Sequence, residues 1–165
     1  MLKITPLNAL LNTSGCASCS IEYMARLEAS IKLTSPVDST KWGSVMYRVQ
    51  NGNYPYMQAC LRYDATVENG VEISQKTADN LWEVYNKTST GTFASGGCNE
   101  VYVDAYCKNS VISINGTGVL SYNDTPYYNG GWGFQVRGTT MVIDWVRIIF
   151  TNNNTDLSLY TIPGN

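Results

Sequence analysis

Period-two alternation of apolar and polar residues is the feature that most restricts the fold of this chain. Between residues 20 and 33 the odd positions are Ile21, Tyr23, Ala25, Leu27, Ala29, Ile31 and Leu33, while the even ones include Glu22, Arg26, Glu28 and Lys32. Successive side chains of a β-strand point to opposite faces, so this stretch predicts a strand with one apolar and one wet face. The same pattern runs through residues 44–50, with Val45, Tyr47 and Val49 inward. It recurs over residues 56–67, where Met57, Ala59, Leu61, Tyr63 and Ala65 face inward against Gln58, Arg62 and Asp64. Further strands are expected over residues 71–75, 81–85, 99–107, 110–115, 133–138, 141–150 and 157–162. Asn- and Gly-bearing turn signals separate them at residues 51–53, 69–70, 95–97, 115–116 and 129–131. No stretch carries the period of a long amphipathic helix. About ten short strands joined by polar turns predict an all-β fold, an antiparallel two-sheet β-sandwich. At 165 residues the chain is long enough for one such domain, read as residues 20–165 after an N-terminal arm and cysteine loop over residues 1–19.

Charge and composition remove whole classes of function. Eleven Lys and Arg against thirteen Asp and Glu give a net charge of -2 with no run of either sign. The phosphate-neutralising patch of a nucleic-acid binder is missing, so nucleic acid is not an expected partner. The chain has no histidine. Ser-His-Asp and Cys-His catalysis, His-based zinc proteolysis and an imidazole pH switch are therefore excluded.

The five cysteines and the Asn-x-Ser/Thr acceptors at Asn12, Asn86, Asn115, Asn123 and Asn153 predict a secreted, disulfide-bearing, N-glycosylated protein at the cell surface. The first residues, MLKITPLNALLNTSG, lack the uninterrupted apolar core of a signal peptide or membrane span. No transmembrane segment is expected. An exported form would have a leader already removed or not included.

The strings Asn99-Glu-Val-Tyr-Val-Asp-Ala-Tyr, Ser110-Val-Ile-Ser-Ile-Asn-Gly-Thr-Gly, Gly130-Gly-Trp-Gly-Phe-Gln-Val and Val142-Ile-Asp-Trp-Val-Arg-Ile occur in that order. This stretch, residues 99–150, resembles the second half of the concanavalin A-like lectin/glucanase domains. There, a strand pair turning on Asn-Gly precedes a Gly-aromatic-Gly strand and a closing Asp-aromatic-Val-Arg strand. The segment from Trp42 to Tyr85 fits the same layout more loosely. The resemblance implies a jelly roll of two packed antiparallel sheets, occupied with glycan binding or glycan hydrolysis. The Glu-x-Asp-x-x-Glu string of laminarinase-type members is absent, so the expectation is a non-enzyme. Glu100 and Asp104 share one strand, but their Cα atoms would lie roughly 13 Å apart, too far for the ~5.5 Å of a retaining carboxylate pair.

The resemblance also implies a role for Asp144, whose position in the closing strand is that of a structural calcium ligand in laminarinase-type relatives. The alternative is that Asp144 pairs with a neighbouring Arg or caps a turn. No other cofactor is required. Cys16 and Cys19 have the spacing of half a zinc knuckle, but with no histidine and too few further ligands, disulfide use is the better reading. Cys98 and Cys107 flank one strand, which would hold their Cα atoms roughly 30 Å apart, so they are not expected to bridge each other. A bridge from Cys60 or Cys98 to the Cys16 and Cys19 loop would staple the arm to the sandwich.

Trp82 and Trp145 sit in strand patterns and are expected to pack. Tyr54, Tyr56, Tyr122, Tyr127, Tyr128 and Trp132 fall among Gly, Asn and Pro turns, where loop aromatics stack on sugars or make protein contacts. Two functions follow. One is a self-assembling structural or adhesive subunit of a filament or surface layer, its arm adding Leu2 and Ile4 as a strand to a neighbouring subunit's sheet edge. The other is a lectin-like module that binds polysaccharide. The apolar arm favours the first.

Overall fold

A computed structural model describes residues 3–4, 24–34, 38–50, 54–90, 93, 96–128, 130–152 and 155–162. In chain order the strands are β1 (Lys3–Ile4), β2 (Met24–Thr34), β3 (Trp42–Val49), β4 (Tyr56–Leu61), β5 (Val71–Lys76) and β6 (Trp82–Thr88). They continue as β7 (Asn99–Tyr106), β8 (Asn109–Ile114), β9 (Thr117–Tyr122), β10 (Gly131–Arg137), β11 (Thr140–Asn152) and β12 (Thr155–Ile162). The described residues contain no helix. The first sheet has the order β1-β10-β3-β4-β5-β6, and the second β12-β11-β2-β7-β8-β9. Every pairing is antiparallel.

The core is what the alternation predicts. Leu27, Ala29, Ile31 and Leu33 of β2 are buried against Val45 and Tyr47 of β3 and Met57, Ala59 and Leu61 of β4, with Val101, Val103, Ile112 and Ile114 from the second sheet. The layers pass closely at Gly43, where an added Cβ would lie 2.5 Å from Met141 Cε and 2.6 Å from Leu33 Cδ2. Hence a side chain at this position would collide with the opposite sheet.

One clamp ties the sheets together at their ends. A register shift in the β10–β3 ladder and a left-handed backbone at Arg48 (φ 54°) turn this residue out of the alternation. Its guanidinium donates to the Thr125 hydroxyl and the Cys107 carbonyl, and to the Asn109 carbonyl at 3.1 Å. Gly130 makes room for the bulge, since its Cβ would fall 2.4 Å from the Arg48 carbonyl carbon and its φ is +135°.

Two strands escape the alternation. β9 follows β8 through Asn115 (φ 50°) and Gly116 (φ 78°), the left-handed pair of a type I′ hairpin. It lies at the sheet edge with no fully buried position, so period two is not imposed on it. β1 pairs with β10 in its own chain, Lys3 opposite Gly133 and Ile4 opposite Trp132. This corrects the expectation that Ile4 adds to a neighbouring subunit: the free edge of β10 is within reach of the same chain, and intrachain pairing carries no association cost. Leu2 lies outside the described residues.

The cysteines also differ from expectation. Cys60 and Cys98 are both free thiols, Cys60 buried and Cys98 exposed. Cys60 points away from the core, as its alternation says, and stands in register between Ser44 and Glu72 of the adjacent strands, buried to 1% exposure. Cys98 and Cys107 stand at opposite ends of β7 and do not bridge. Cys16 and Cys19 lie outside the described residues.

Candidate functional site

The outward face of the first sheet is polar and yet buried. The ladder registers place Gln135, Ser44, Cys60, Glu72 and Lys87 in one row across the strands, and Met46, Gln58, Ser74 and Val84 in the next. Tyr56, Lys76 and Trp82 form a third row. Ser44, Gln58, Arg62, Glu72 and Ser74 are all buried. The sequence pattern predicts a wet face for β4. The difference comes from the aromatic rings that close over it: Trp42 and Trp82 meet edge to face at 6.0 Å, and Tyr56 and Trp82 at 6.2 Å. Trp82 itself remains 42% exposed, with Lys76 Nζ 4.5 Å from its ring centre.

Beneath these rings the polar atoms are only partly satisfied. Arg62 Nη1 donates to Glu72 Oε1 at 2.8 Å and to the Gly70 carbonyl at 2.7 Å, and Gln58 Nε2 donates to Ser74 Oγ at 2.9 Å. The Tyr56 hydroxyl donates to Gln135 Oε1 at 2.6 Å, and burial raises its pKa. Ser44 Oγ, Gln58 Oε1 and Arg62 Nε are buried and make no hydrogen bond to the described residues. Each such atom costs about 1–3 kcal/mol when nothing pairs with it. A cleft of about 110 Å³ opens here, lined by Trp42, Gln58, Arg62, Ser74, Trp82 and Arg137 among others. It offers a hydroxyl, an amide acceptor and a guanidinium donor beside an exposed indole. That set suits a ligand whose groups both donate and accept, lying on an apolar ring face.

The outward face of the second sheet is different. Arg147 and Arg26 flank Glu28, Arg26 reaches Asp104 through Nη2 at 3.0 Å, and the Tyr102 hydroxyl donates to Glu100 at 2.8 Å. Asp104 holds the Arg26 pKa above its ordinary value. Glu100 and Asp104 are thus engaged with Tyr102 and Arg26. Each of these side chains is engaged with a neighbour inside the network.

The aromatics singled out from the sequence do not gather in one place. Tyr56 joins the face just described. Trp132 is only 2% exposed, a core residue of β10 stacked on Tyr47 at 5.9 Å and not a loop aromatic. Tyr122 stacks on Tyr85 at 4.9 Å, and the Tyr127 hydroxyl accepts from Gln75 Nε2 at 3.0 Å. Both pack against the core. Tyr54 and Tyr128 are exposed. Asp144 is exposed at a register shift of β11, and no group of three His, Cys, Asp or Glu side chains able to hold a metal occurs among the described residues.

Of the sequons, the Asn115 side chain is committed, donating to Asn99 Oδ1 at 3.0 Å and accepting from the Glu100 amide at 3.0 Å. Asn86 donates to the Ser121 carbonyl at 2.7 Å. Asn123 is exposed; Asn12 and Asn153 lie outside the described residues.

What the sequence reading missed is Trp42, Trp82, Ser44, Gln58, Arg62 and Arg137 as one group. The available signal was the run of outward polar positions on three neighbouring strands, bracketed by a tryptophan at the start of β3 and another at the start of β6.

No protein-family model matches the chain, and no curated protein is significantly similar to it. Solved structures do share its fold. A carbohydrate binding module, CBM66 from Bacillus subtilis, superposes with a TM-score of 0.60 at 15% identity, over 77% of this chain and 74% of that one. Sheep galectin-11, solved in complex with glycerol, gives 0.56 at 13% identity over 80% and 93% of the two chains. A toad ovary galectin in complex with thio-digalactose gives 0.50 at 14% identity over 86% and 96%. The chain thus has the two-sheet jelly-roll sandwich fold that the resemblance of residues 99–150 implies. No helix among the described residues is long and apolar enough to cross a membrane.

Proposed function

We propose that this protein is a non-catalytic, lectin-like carbohydrate-binding module that acts outside the cell and recognises polysaccharide on the outward face of its first sheet. The observation that carries the reading is a cleft beside the exposed ring of Trp82 whose lining residues Gln58 and Arg62 each keep a buried polar atom, Gln58 Oε1 and Arg62 Nε, without a hydrogen bond to the described residues. Sugar hydroxyls both donate and accept, so one pyranose edge can satisfy the amide acceptor and the guanidinium donor together, while its C–H face stacks on the indole. The fold supports this reading: a carbohydrate binding module and a galectin solved with thio-digalactose share it. Intrachain pairing of Ile4 removes the feature that favoured an assembly subunit.

The test is a glycan array followed by calorimetry on the best hit. Binding should be weakened about tenfold or more by Trp82→Ala, in keeping with the cost of truncating an aromatic anchor. A folded protein that captures no glycan, or one whose glycan binding ignores Trp82→Ala and Gln58→Ala, would refute the site.

A further inference from the structure

Resting on that carbohydrate reading, we infer that the ligand is an acidic glycan, and that Arg137 selects it by holding a sugar carboxylate at the rim of the cleft. The chain as a whole is acidic, with a net charge of -2. The described outward positions of the first sheet lean the other way: Arg62, Lys76, Lys87 and Arg137 stand there against Glu72, while Glu83 of β6 falls in register with Gln75 on the other face. Among these cations Arg62 is paired with Glu72, Lys76 donates to the Asn80 carbonyl at 2.6 Å, and Lys87 reaches the Glu68 carbonyl at 3.3 Å. The exposed Arg137 guanidinium makes no hydrogen bond or ion pair to the described residues, although it lines the cleft.

Its position is set by the fold. Arg137 is the last residue of β10 and lies opposite Trp42, whose ring leans toward Trp82. A sugar stacked on Trp82 with its hydroxyl edge over Gln58 and Ser74 would direct a ring substituent toward either guanidinium. Arg62 is buried and its charge is compensated by Glu72, so the exposed and uncompensated fork is that of Arg137. A guanidinium fork matches the planar geometry of a carboxylate with two parallel hydrogen bonds, which a neutral hydroxymethyl group cannot accept in the same way. The cationic surround would also speed the encounter with a polyanion, an effect that falls with ionic strength.

The experiment compares oligogalacturonate with the same oligomer after its carboxyl groups have been reduced to primary alcohols, by calorimetry at low and high salt. A sulfated neutral oligomer forms a third arm. The expected result is about tenfold tighter binding of the carboxylated oligomer than of its reduced form, a preference that shrinks at high salt. Arg137→Ala should abolish the preference, and Arg137→Lys should restore only part of it, since a lysine keeps the charge and loses the fork. Equal affinity for the two oligomers, or a preference unchanged by Arg137→Ala, overturns the assignment and leaves the carbohydrate reading standing. Binding of the sulfated oligomer alone overturns the carboxylate assignment. Failure of both galacturonate forms, together with an empty glycan array, overturns the inference and the carbohydrate reading together.

Discussion

Trp42 and Trp82 touch edge to face at 6.0 Å and 86°, although β4 and β5 lie between the strands that carry them. The two rings lean toward each other across the sheet and roof over the polar side chains of the intervening strands. Their shares of the roof are unequal: Trp42 is 6% exposed and Trp82 42%. Truncation of the two should therefore separate stability from binding. Trp42→Ala should lower stability by about 3 kcal/mol, the usual cost of removing a buried aromatic, and weaken binding as well. Trp82→Ala should change the melting temperature little and abolish most glycan binding. Thermal melts and calorimetry on the two variants check this; similar melting points for both would show that the roof carries no weight in the fold.

Arg48 offers a second test, in the clamp between the sheets. Arg48→Met keeps the length of the side chain and removes the guanidinium, leaving Thr125 and the Cys107 and Asn109 carbonyls without that donor. Loss of a buried charged donor from several acceptors should cost about 3 kcal/mol, read as a drop in the denaturant midpoint. Glycan affinity of the folded variant should be unchanged, because the clamp lies at the end of the sandwich and not on the outward face.

These two sites mark where sequence reading succeeds and where it stops. The inward positions of β2, β3, β4 and β7 were legible because core burial forces apolar residues into every second place. The outward face of β4 was misjudged for the same reason: alternation says which way Gln58 and Arg62 point, and nothing about rings arriving from β3 and β6 to cover them. Trp132 looked like a loop aromatic because three residues around it are glycines, Gly130, Gly131 and Gly133. Those glycines instead accommodate the Arg48 bulge and the paired β1, and they leave Trp132 inside. Arg137 gave no signal, since its meaning depends on its having no partner among the described residues.

The sequons make a third prediction, on the reading of an exported protein. Asn123 is exposed, whereas the Asn115 side chain is held by Asn99 and the Glu100 amide inside a tight turn. When the protein is secreted from a glycosylating host, Asn123 should be the more fully occupied of the two. Glycopeptide mass spectrometry decides it, and full occupancy at Asn115 with none at Asn123 would contradict the turn geometry.

Alkaline pH supplies the last prediction, through Cys60 and Tyr47. Burial pushes the Cys60 thiol from an ordinary 9.0 up to about 12, and the Tyr47 phenol from 10.0 up to about 12. Both groups are acids that the folded state keeps protonated while the unfolded chain would release the proton. Their contribution to stability is therefore complete below about pH 9 and declines as pH rises from about 9 toward 12, by up to about 1.4 kcal/mol per pH unit for each group that has ionised in the unfolded chain. Stability measured by denaturant titration should fall across that window. Cys60→Ala should reduce the slope by the share of one group, beginning at the lower edge of the window where only the thiol titrates. At pH 8 the native protein should show Cys98 open to a thiol reagent and Cys60 protected until denaturant is added, because the first is exposed and the second buried. Rapid modification of Cys60 in the native state, or an alkaline slope identical in Cys60→Ala, would show that this strand face opens to solvent far more readily than its burial indicates.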